Sequence, residues 1–302
     1  MKKILSKKSS ESRANFKRGS SGLQNNAQSM AEDGISVLMS VYRNEKADYF
    51  REAMESILHQ TRMPDEIVLM EDGPLYEELE RCIREYEASC PILKVYRIKE
   101  NVQLGRALRK GACLCRYEMI ARMDTDDIAA PDRLEKQYAF LAEQKDVSAV
   151  GGWILEFNDE NTLHTVKKMP ETNDEIRRYG TYRSPLNHMT VMMRRSDLLA
   201  CGNYRHFVGL EDYYLWMRMM ASGKKLYCLP EVLVKVRANS DVYRRRGGFS
   251  YMLRYLKLRR MQRELGLTHG LSYLKAVAIT VGITAIPPGM RRLVYKAVLR
   301  RS

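Results

Sequence analysis

No run of 18 uninterrupted apolar residues occurs in the 302-residue sequence, which argues against a conventional membrane span. Its basic start, Met1 to Arg13, leads into more polar residues and no apolar stretch, which is not the pattern of a secretory signal. Glycine (18) and proline (9) are too few for a collagenous or low-complexity chain. Cys82, Cys90, Cys113, Cys115, Cys201 and Cys228 form neither a small-domain disulfide framework nor a zinc spacing, and so read as free thiols in a reducing compartment. What is present is ordinary globular material, 45% hydrophobic and 29% charged, enough for one large domain with an extension.

The formal net charge of +14 belongs to the ends. Residues 1–33 carry seven basic and three acidic side chains, and residues 244–302 carry fourteen and one (Glu264). The middle, 34–243, holds 30 basic and 33 acidic residues. A nucleic-acid enzyme would concentrate basic charge on its motif-bearing domain. Basic tails suit an anionic membrane surface instead, at about 1 kcal/mol per nearby Lys or Arg.

Residues 1–33, rich in Ser, Lys, Asn and Gln, read as a disordered basic segment. Strands are expected at 35–42, 66–70, 93–98, 117–123, 147–157, 188–194 and 226–236. Helices are expected at 49–60, 75–88, 104–115, from Pro131 onward, 174–182 and 211–221. This alternation predicts a doubly wound, mainly parallel α/β sheet. From Tyr243 the chain turns into a basic helix running to Glu264. An apolar stretch, 271–286, follows, stopped by Pro287-Pro288, and 290–301 again mixes apolar bulk with five Arg/Lys. Sixteen residues are short for a span and suit a segment in the interfacial plane, or a helical subdomain packed on the sheet.

Ligands of open parallel sheets bind beyond the carboxyl ends of the strands. Three polar clusters fall there: Tyr42-Arg-Asn-Glu45, Glu71-Asp-Gly73 and Asp124-Thr-Asp-Asp127. Singly, each reads equally as a helix N-cap or a turn. Asp124, Asp126 and Asp127 are like charges within four positions, which an oxygen-seeking divalent cation, Mn²⁺ or Mg²⁺, would compensate. No glycine-rich phosphate loop of the Walker type occurs, so phosphate charge has to be met by metal and Arg/Lys.

The set Val37-Leu-Met-Ser-Val-Tyr-Arg-Asn-Glu45, Glu71-Asp-Gly73, Asn101-Val-Gln-Leu-Gly105 with Ala107, Asp124-Thr-Asp-Asp127 and Gly209-Leu-Glu-Asp212 with Leu215-Trp216 resembles the family-2 glycosyltransferases. The likeness runs from about 35 to 240 in consistent order. The tail resembles the bacterial exopolysaccharide branch that includes amylovoran biosynthesis glycosyltransferases. Two positions depart: Val41 stands where the family usually has Pro, and Glu71-Asp-Gly-Pro74 where Asp-Asp-Gly-Ser is common.

The resemblance implies a GT-A fold and nucleotide-sugar chemistry. It makes Val41, Tyr42, Glu45 and Asp72 nucleotide contacts, with a carboxylate to accept the uracil ring N–H. Whether Glu71 or Asp72 does so stays open. Arg106 reaches the base or diphosphate, or is a surface residue of its helix. Asp124 serves ribose, sugar or metal, Asp126 the metal, and Asp127 stands behind them. Asp212 is the implied general base and Glu211 its orienting or acceptor-binding neighbour. His188 is an acceptor or diphosphate contact, or structural. Trp216 faces a sugar, or packs in the core. Arg237 stabilises the diphosphate, with Arg244 to Arg246 as a cationic flap or a solvated turn.

The expectation is an inverting, metal-dependent glycosyltransferase with a basic N-terminal segment (1–33), a GT-A domain (34–243) and a basic amphipathic, membrane-associating helical extension (244–302). Its donor would be a nucleotide-sugar of the UDP type, and its acceptor a polyprenyl-diphosphate-linked glycan of capsule, exopolysaccharide or O-antigen assembly. It would be cytoplasmic, on the inner face of the cell membrane, with an anionic membrane surface and no nucleic acid as partner. A nucleotidyltransferase would show a glycine-rich, Arg/Lys-bearing stretch after the first strand, which Ser40 to Glu45 does not supply. A nucleic-acid-binding protein would interleave aromatics with its basic residues, and here that interleaving is thin.

Overall fold

Ile35 to Met39 and Val41 are buried, and they form most of β1 (Glu32–Val41) in the computed structural model, which describes residues 32–158, 164–237 and 248–286. Alternate side chains of this strand enter two different cores. Val37, Met39 and Val41 pack on one face of the sheet, and Leu38 packs on the other. That period of two on a strand with no solvent face is what a helix-covered sheet requires.

Helix α1 (Ala47–Leu58) lays Ala47, Phe50, Ala53, Met54 and Ile57 on the first face. After β2 (Glu66–Asp72), α2 (Glu77–Ser89) adds Leu79, Cys82, Ile83 and Tyr86 to the same side. After β3 (Leu93–Ile98), α3 (Leu104–Leu114) covers the opposite face with Ala107, Leu108 and Ala112. Strand β4 (Tyr117–Arg122) is followed by a two-residue strand, β5 (Ile128–Ala129), and by α4 (Arg133–Glu143), whose Leu134 and Leu141 return to the first face.

The second half holds β6 (Val147–Phe157), β7 (Thr165–Lys167), α5 (Asn173–Gly180), β8 (Met192–Arg194), α6 (Arg195–Ala200), α7 (Glu211–Ala221) and β9 (Lys225–Arg237). The nine strands make one sheet in the order β3-β2-β1-β4-β8-β6-β9-β5, with β7 on β6. Pairs β1/β2, β2/β3 and β6/β9 are parallel, while β8, β5 and β7 enter antiparallel. Because β2, β1 and β4 are neighbours, the loops after Asp72, Val41 and Arg122 emerge at one edge.

The sheet and its two helix layers match the sequence expectation, with local differences. The strand expected over 188–194 is a 3₁₀ turn at His188–Thr190 followed by three strand residues. Thr190 is responsible: its hydroxyl bonds Asn187 O (2.8 Å) and accepts from Gly152 N (3.0 Å), which holds a turn where a ladder would run. Strands β5 and β7 and helix α6 are too short for periodicity to reveal.

Beyond the sheet, α8 (Phe249–Glu264) and α9 (Gly270–Ala285) form a helical hairpin. No helix among the described residues is long and apolar enough to cross a membrane. The segment 1–31, Arg244 to Arg246 and the stretch 290–301 singled out in the sequence lie outside the described residues.

Candidate active site

The acidic turn after β4 is held by two buried arginines. Arg122, the last residue of the strand, is fully buried and donates to Asp124 through Nη2. Its own carbonyl accepts Arg133 Nη2 at 2.6 Å, which fixes the backbone just before the turn. Arg237, at the end of β9, donates its N–H to Asp127 Oδ1 (3.0 Å) and Nε to Asp126 O (3.2 Å). Its guanidinium pairs with Glu52 and lies 3.9 Å over the Tyr49 ring and 4.7 Å over Phe157.

These contacts bring ligand oxygens of Asp124, Asp126 and Asp127 within 4.8 Å of one another. Burial pushes Asp126 up to about 7, with Asp124 and then Glu45 adding to the rise. Burial also lifts Asp127 well above its ordinary value, reinforced by Asp124 and Asp126. Glu45, behind them, accepts from Thr125 Oγ1 (2.5 Å) and from Lys46 N (2.9 Å), and burial raises it too. Like charges crowded out of water favour whatever neutralises them. An all-oxygen donor set is what a hard divalent cation takes.

Along the same edge, the residues that the resemblance implies for the nucleotide are positioned by a different network. Val41 is fully buried, so its side chain cannot touch a base and only its main chain reaches the edge. Tyr42, the next residue, is 40% exposed. Glu71 turns away to pair with Arg97 at 3.3 Å, whereas Asp72 points to the following loop and accepts Val102 N at 2.7 Å. Burial raises Asp72, partly offset by the amides of Val102 and Gln103. Gly73, at φ +90°, has no room for a Cβ, which would stand 2.7 Å from Asn101 N. Gln103 has φ 72° and ψ 152°, a region otherwise nearly confined to glycine, at a cost on the order of 1–3 kcal/mol. Arg106 is exposed on the first turn of α3, the surface alternative of its two readings.

That first turn packs close to the start of α7. A Cβ on Gly105 would meet Arg205 O and Glu211 Cβ, each at 3.2 Å, tight enough that α3 or the start of α7 would have to give by a few tenths of an ångström. Glu211 is buried, bonded by Leu210 N at 3.1 Å, and pushed up to about 7 by burial and then by Asp212. Asp212 accepts from Ser184 Oγ at 3.1 Å. His188 Nε2 and Tyr204 Oη are 3.0 Å apart, and burial together with Arg122 holds His188 well below its usual value, hence neutral. Trp216 is fully buried edge-on behind His188, with ring centroids 6.1 Å apart. It therefore has no face to offer a sugar, and its role is core packing.

A cavity of about 440 Å³ joins the acidic turn to the start of α7. Asp124, Asp126, Asp127 and Arg237 line it together with His188 and Asp212. Glu211, Tyr42, Asp72, Arg106 and Trp216 lie outside it. The sequence reading missed Ser184, Arg122, Thr125 and Tyr204. Only Arg122 left a signal there, a charge directly after the apolar run Met119-Ile120-Ala121 and two residues before Asp124.

Residues 36–202 match the family model described as Glycosyl transferase family 2. The amylovoran biosynthesis glycosyltransferase AmsE of Erwinia amylovora is 36% identical over 79% of this chain and 90% of its own. A UDP-Gal:α-D-GlcNAc-diphosphoundecaprenol β-1,3-galactosyltransferase of Escherichia coli is 29% identical over 88% of this chain and 97% of its own. Among solved structures, the mannosyltransferase PcManGT of Pyrobaculum calidifontis, in complex with GDP-Man and Mn²⁺, superposes with a TM-score of 0.59. That superposition covers 95% of this chain and 87% of that one, at 16% identity. The fold is therefore GT-A, and the molecule is a glycosyltransferase. The chain belongs to glycosyltransferase family 2.

Proposed function

We propose that this glycosyltransferase moves a sugar from a UDP-sugar to a membrane-linked glycan of bacterial capsule, exopolysaccharide or O-antigen assembly, with inversion at the anomeric carbon. The observation that carries the reading is the shared cavity, with the Asp124–Asp127 carboxylates and Asp212 in one lining. Tyr42 and Asp72 at the sheet edge take the nucleotide, joined by the Val41 main chain and by Glu45 beneath. Asp124 and Asp126 would hold Mn²⁺ or Mg²⁺, which when bound would supply Lewis-acid charge for the departing diphosphate. Arg237 adds a fixed positive charge beneath the same carboxylates.

Asp212 takes the proton of the acceptor hydroxyl. That oxygen bonds to the anomeric carbon while the bond from the carbon to the diphosphate oxygen breaks. Ser184 aims the carboxylate, and neutral His188 offers a hydrogen bond to acceptor or diphosphate without adding charge. Two relatives support the pathway and the donor: one is named for amylovoran biosynthesis, the other for UDP-galactose and a diphosphoundecaprenol acceptor. The domain reading follows: a basic segment at 1–33, the transferase at 34–243, and a membrane-associating extension at 244–302. The enzyme then works in the cytoplasm, peripheral on the inner face of the membrane.

Calorimetric titration of UDP, GDP and CMP into the full chain, with and without Mn²⁺, tests the donor and metal together. The expected result is Mn²⁺-dependent binding of UDP alone. Folded protein that binds none of the three sinks the reading.

A further inference from the structure

The apolar segment at 271–286 carries two opposed surfaces in the structure. Helix α9 is 16 residues long, about 24 Å at 1.5 Å per residue, less than the roughly 30 Å of a bilayer core. On one side, Ile279, Thr280, Ile283 and Thr284 line the cavity that holds Asp212. Thr280 and Thr284 bond back to Ala276 O (2.8 Å) and Thr280 O (2.7 Å), so their hydroxyls add little polarity to that wall. On the other side Leu271 is 80% exposed, Leu274 61% and Val281 41%. At 3.6 residues per turn the two sets are centred about 160° apart around the helix.

The inner side is locked in place. Arg259 of α8 is buried and donates to Thr280 Oγ1 (3.1 Å), Thr181 O (2.8 Å), Tyr213 Oη (2.9 Å) and Tyr182 O (2.5 Å). Gln262 Nε2 donates to Gly180 O at 2.8 Å. The residues so held end α5 and lie just before Ser184, the partner of Asp212. The hairpin is thus fastened to the stretch of chain that aims the proposed base.

The exposed surface of the hairpin matches one partner in charge as well as polarity. Lys257, Arg260, Arg263 and Lys275 are exposed on the hairpin, and Glu264 is the only acid between residues 248 and 286. Phe249 and Leu253 are likewise exposed on α8. Apolar side chains flanked by cations suit an anionic bilayer, where insertion and headgroup attraction add. We infer that α9 is a two-faced wall: its outer stripe rests on anionic lipid while its inner face closes the acceptor end of the cavity. The inference rests on the membrane-linked acceptor proposed above and places that acceptor's entry at the bilayer side of α9.

The test uses the full chain and phosphatidylcholine vesicles with or without 30% phosphatidylglycerol. The expected result is that Leu271→Glu/Leu274→Glu binds the anionic vesicles at least 10-fold more weakly than wild type, with UDP affinity unchanged. Ile283→Trp keeps vesicle binding, and brominated lipid quenches a tryptophan at Leu274→Trp but not at Ile283→Trp. Wild-type binding by the outer double variant overturns the inference. So does a change from dimer to monomer in that variant by analytical ultracentrifugation, which makes the stripe a protein interface. Loss of UDP binding in the wild type strikes the transferase reading and leaves the vesicle result standing.

Discussion

Two groups of carboxylates share this active site and are stabilised in different ways. Asp124, Asp126 and Asp127 crowd within 4.8 Å of one another, with buried Arg122 and Arg237 bonded into the same turn. In the second group, a backbone amide bonds Glu211 and a serine hydroxyl bonds Asp212. In the first group positive charge is already built into the floor, and Asp126 is still pushed up to about 7. On the proposed reading, a divalent cation completes this cluster. In the second, burial drives Glu211 up to about 7 beside a carboxylate that lines the cavity. That pair is suited to holding and moving a proton. In the proposed mechanism, leaving-group chemistry falls to one end of the cavity and acceptor activation to the other.

The largest expected effect breaks the first group. Asp126→Asn should lower turnover by roughly 10³-fold or more, because metal and diphosphate lose a ligand together. Initial rates across a Mn²⁺ series check this, and a rate within 10-fold of wild type at saturating Mn²⁺ contradicts it. Asp212→Asn removes the proposed base and should lower kcat by about 10² to 10⁴ with nucleotide affinity unchanged. A parallel loss of UDP binding would place Asp212 in the donor site instead.

Glu211 sharpens the comparison through pH. Its folded value lies near 7 against an ordinary 4.5, so the unfolded chain loses this proton first as pH rises. Its contribution to stability is therefore intact below pH 4.5 and falls away between about 4.5 and 7. Glu211→Gln should remove that slope, gaining up to about 3 kcal/mol on wild type between pH 4 and pH 8. Urea melts of metal-free protein at both pH values measure it, and an unchanged difference argues against the shift. The smallest effect is expected of Arg106→Ala. Exposed on α3, it should change donor KM less than about 3-fold, whereas a 10-fold rise would restore the diphosphate contact read from the sequence.

The metal end was largely legible in the sequence because its residues are consecutive. Asp124 to Asp127 follow an apolar strand, and Glu71-Asp72-Gly73 follows another, so strand ends and charge pattern coincide. The surroundings of Asp212 are harder to read because their pieces converge from far apart. Ser184 reaches Asp212 across 28 positions, and Arg259 of α8 reaches Thr181 across 78. Trp216 illustrates the limit from the other side: a helix start beside an acidic pair reads the same whether the ring faces a sugar or the core, and only the packing on His188 decides. The hairpin was read from composition as an interfacial segment. Its inner face, closing the cavity through Ile279 and Ile283, carries no pattern that distinguishes it from the outer stripe.

The division of labour between the two carboxylate groups is tested most directly by titrating UDP into wild type, Asp126→Ala and Asp212→Asn, each with and without Mn²⁺. The account predicts that wild type and Asp212→Asn bind UDP only with Mn²⁺ and with similar affinity, and that Asp126→Ala binds with neither. UDP binding that ignores Mn²⁺, or that both variants lose alike, would contradict it.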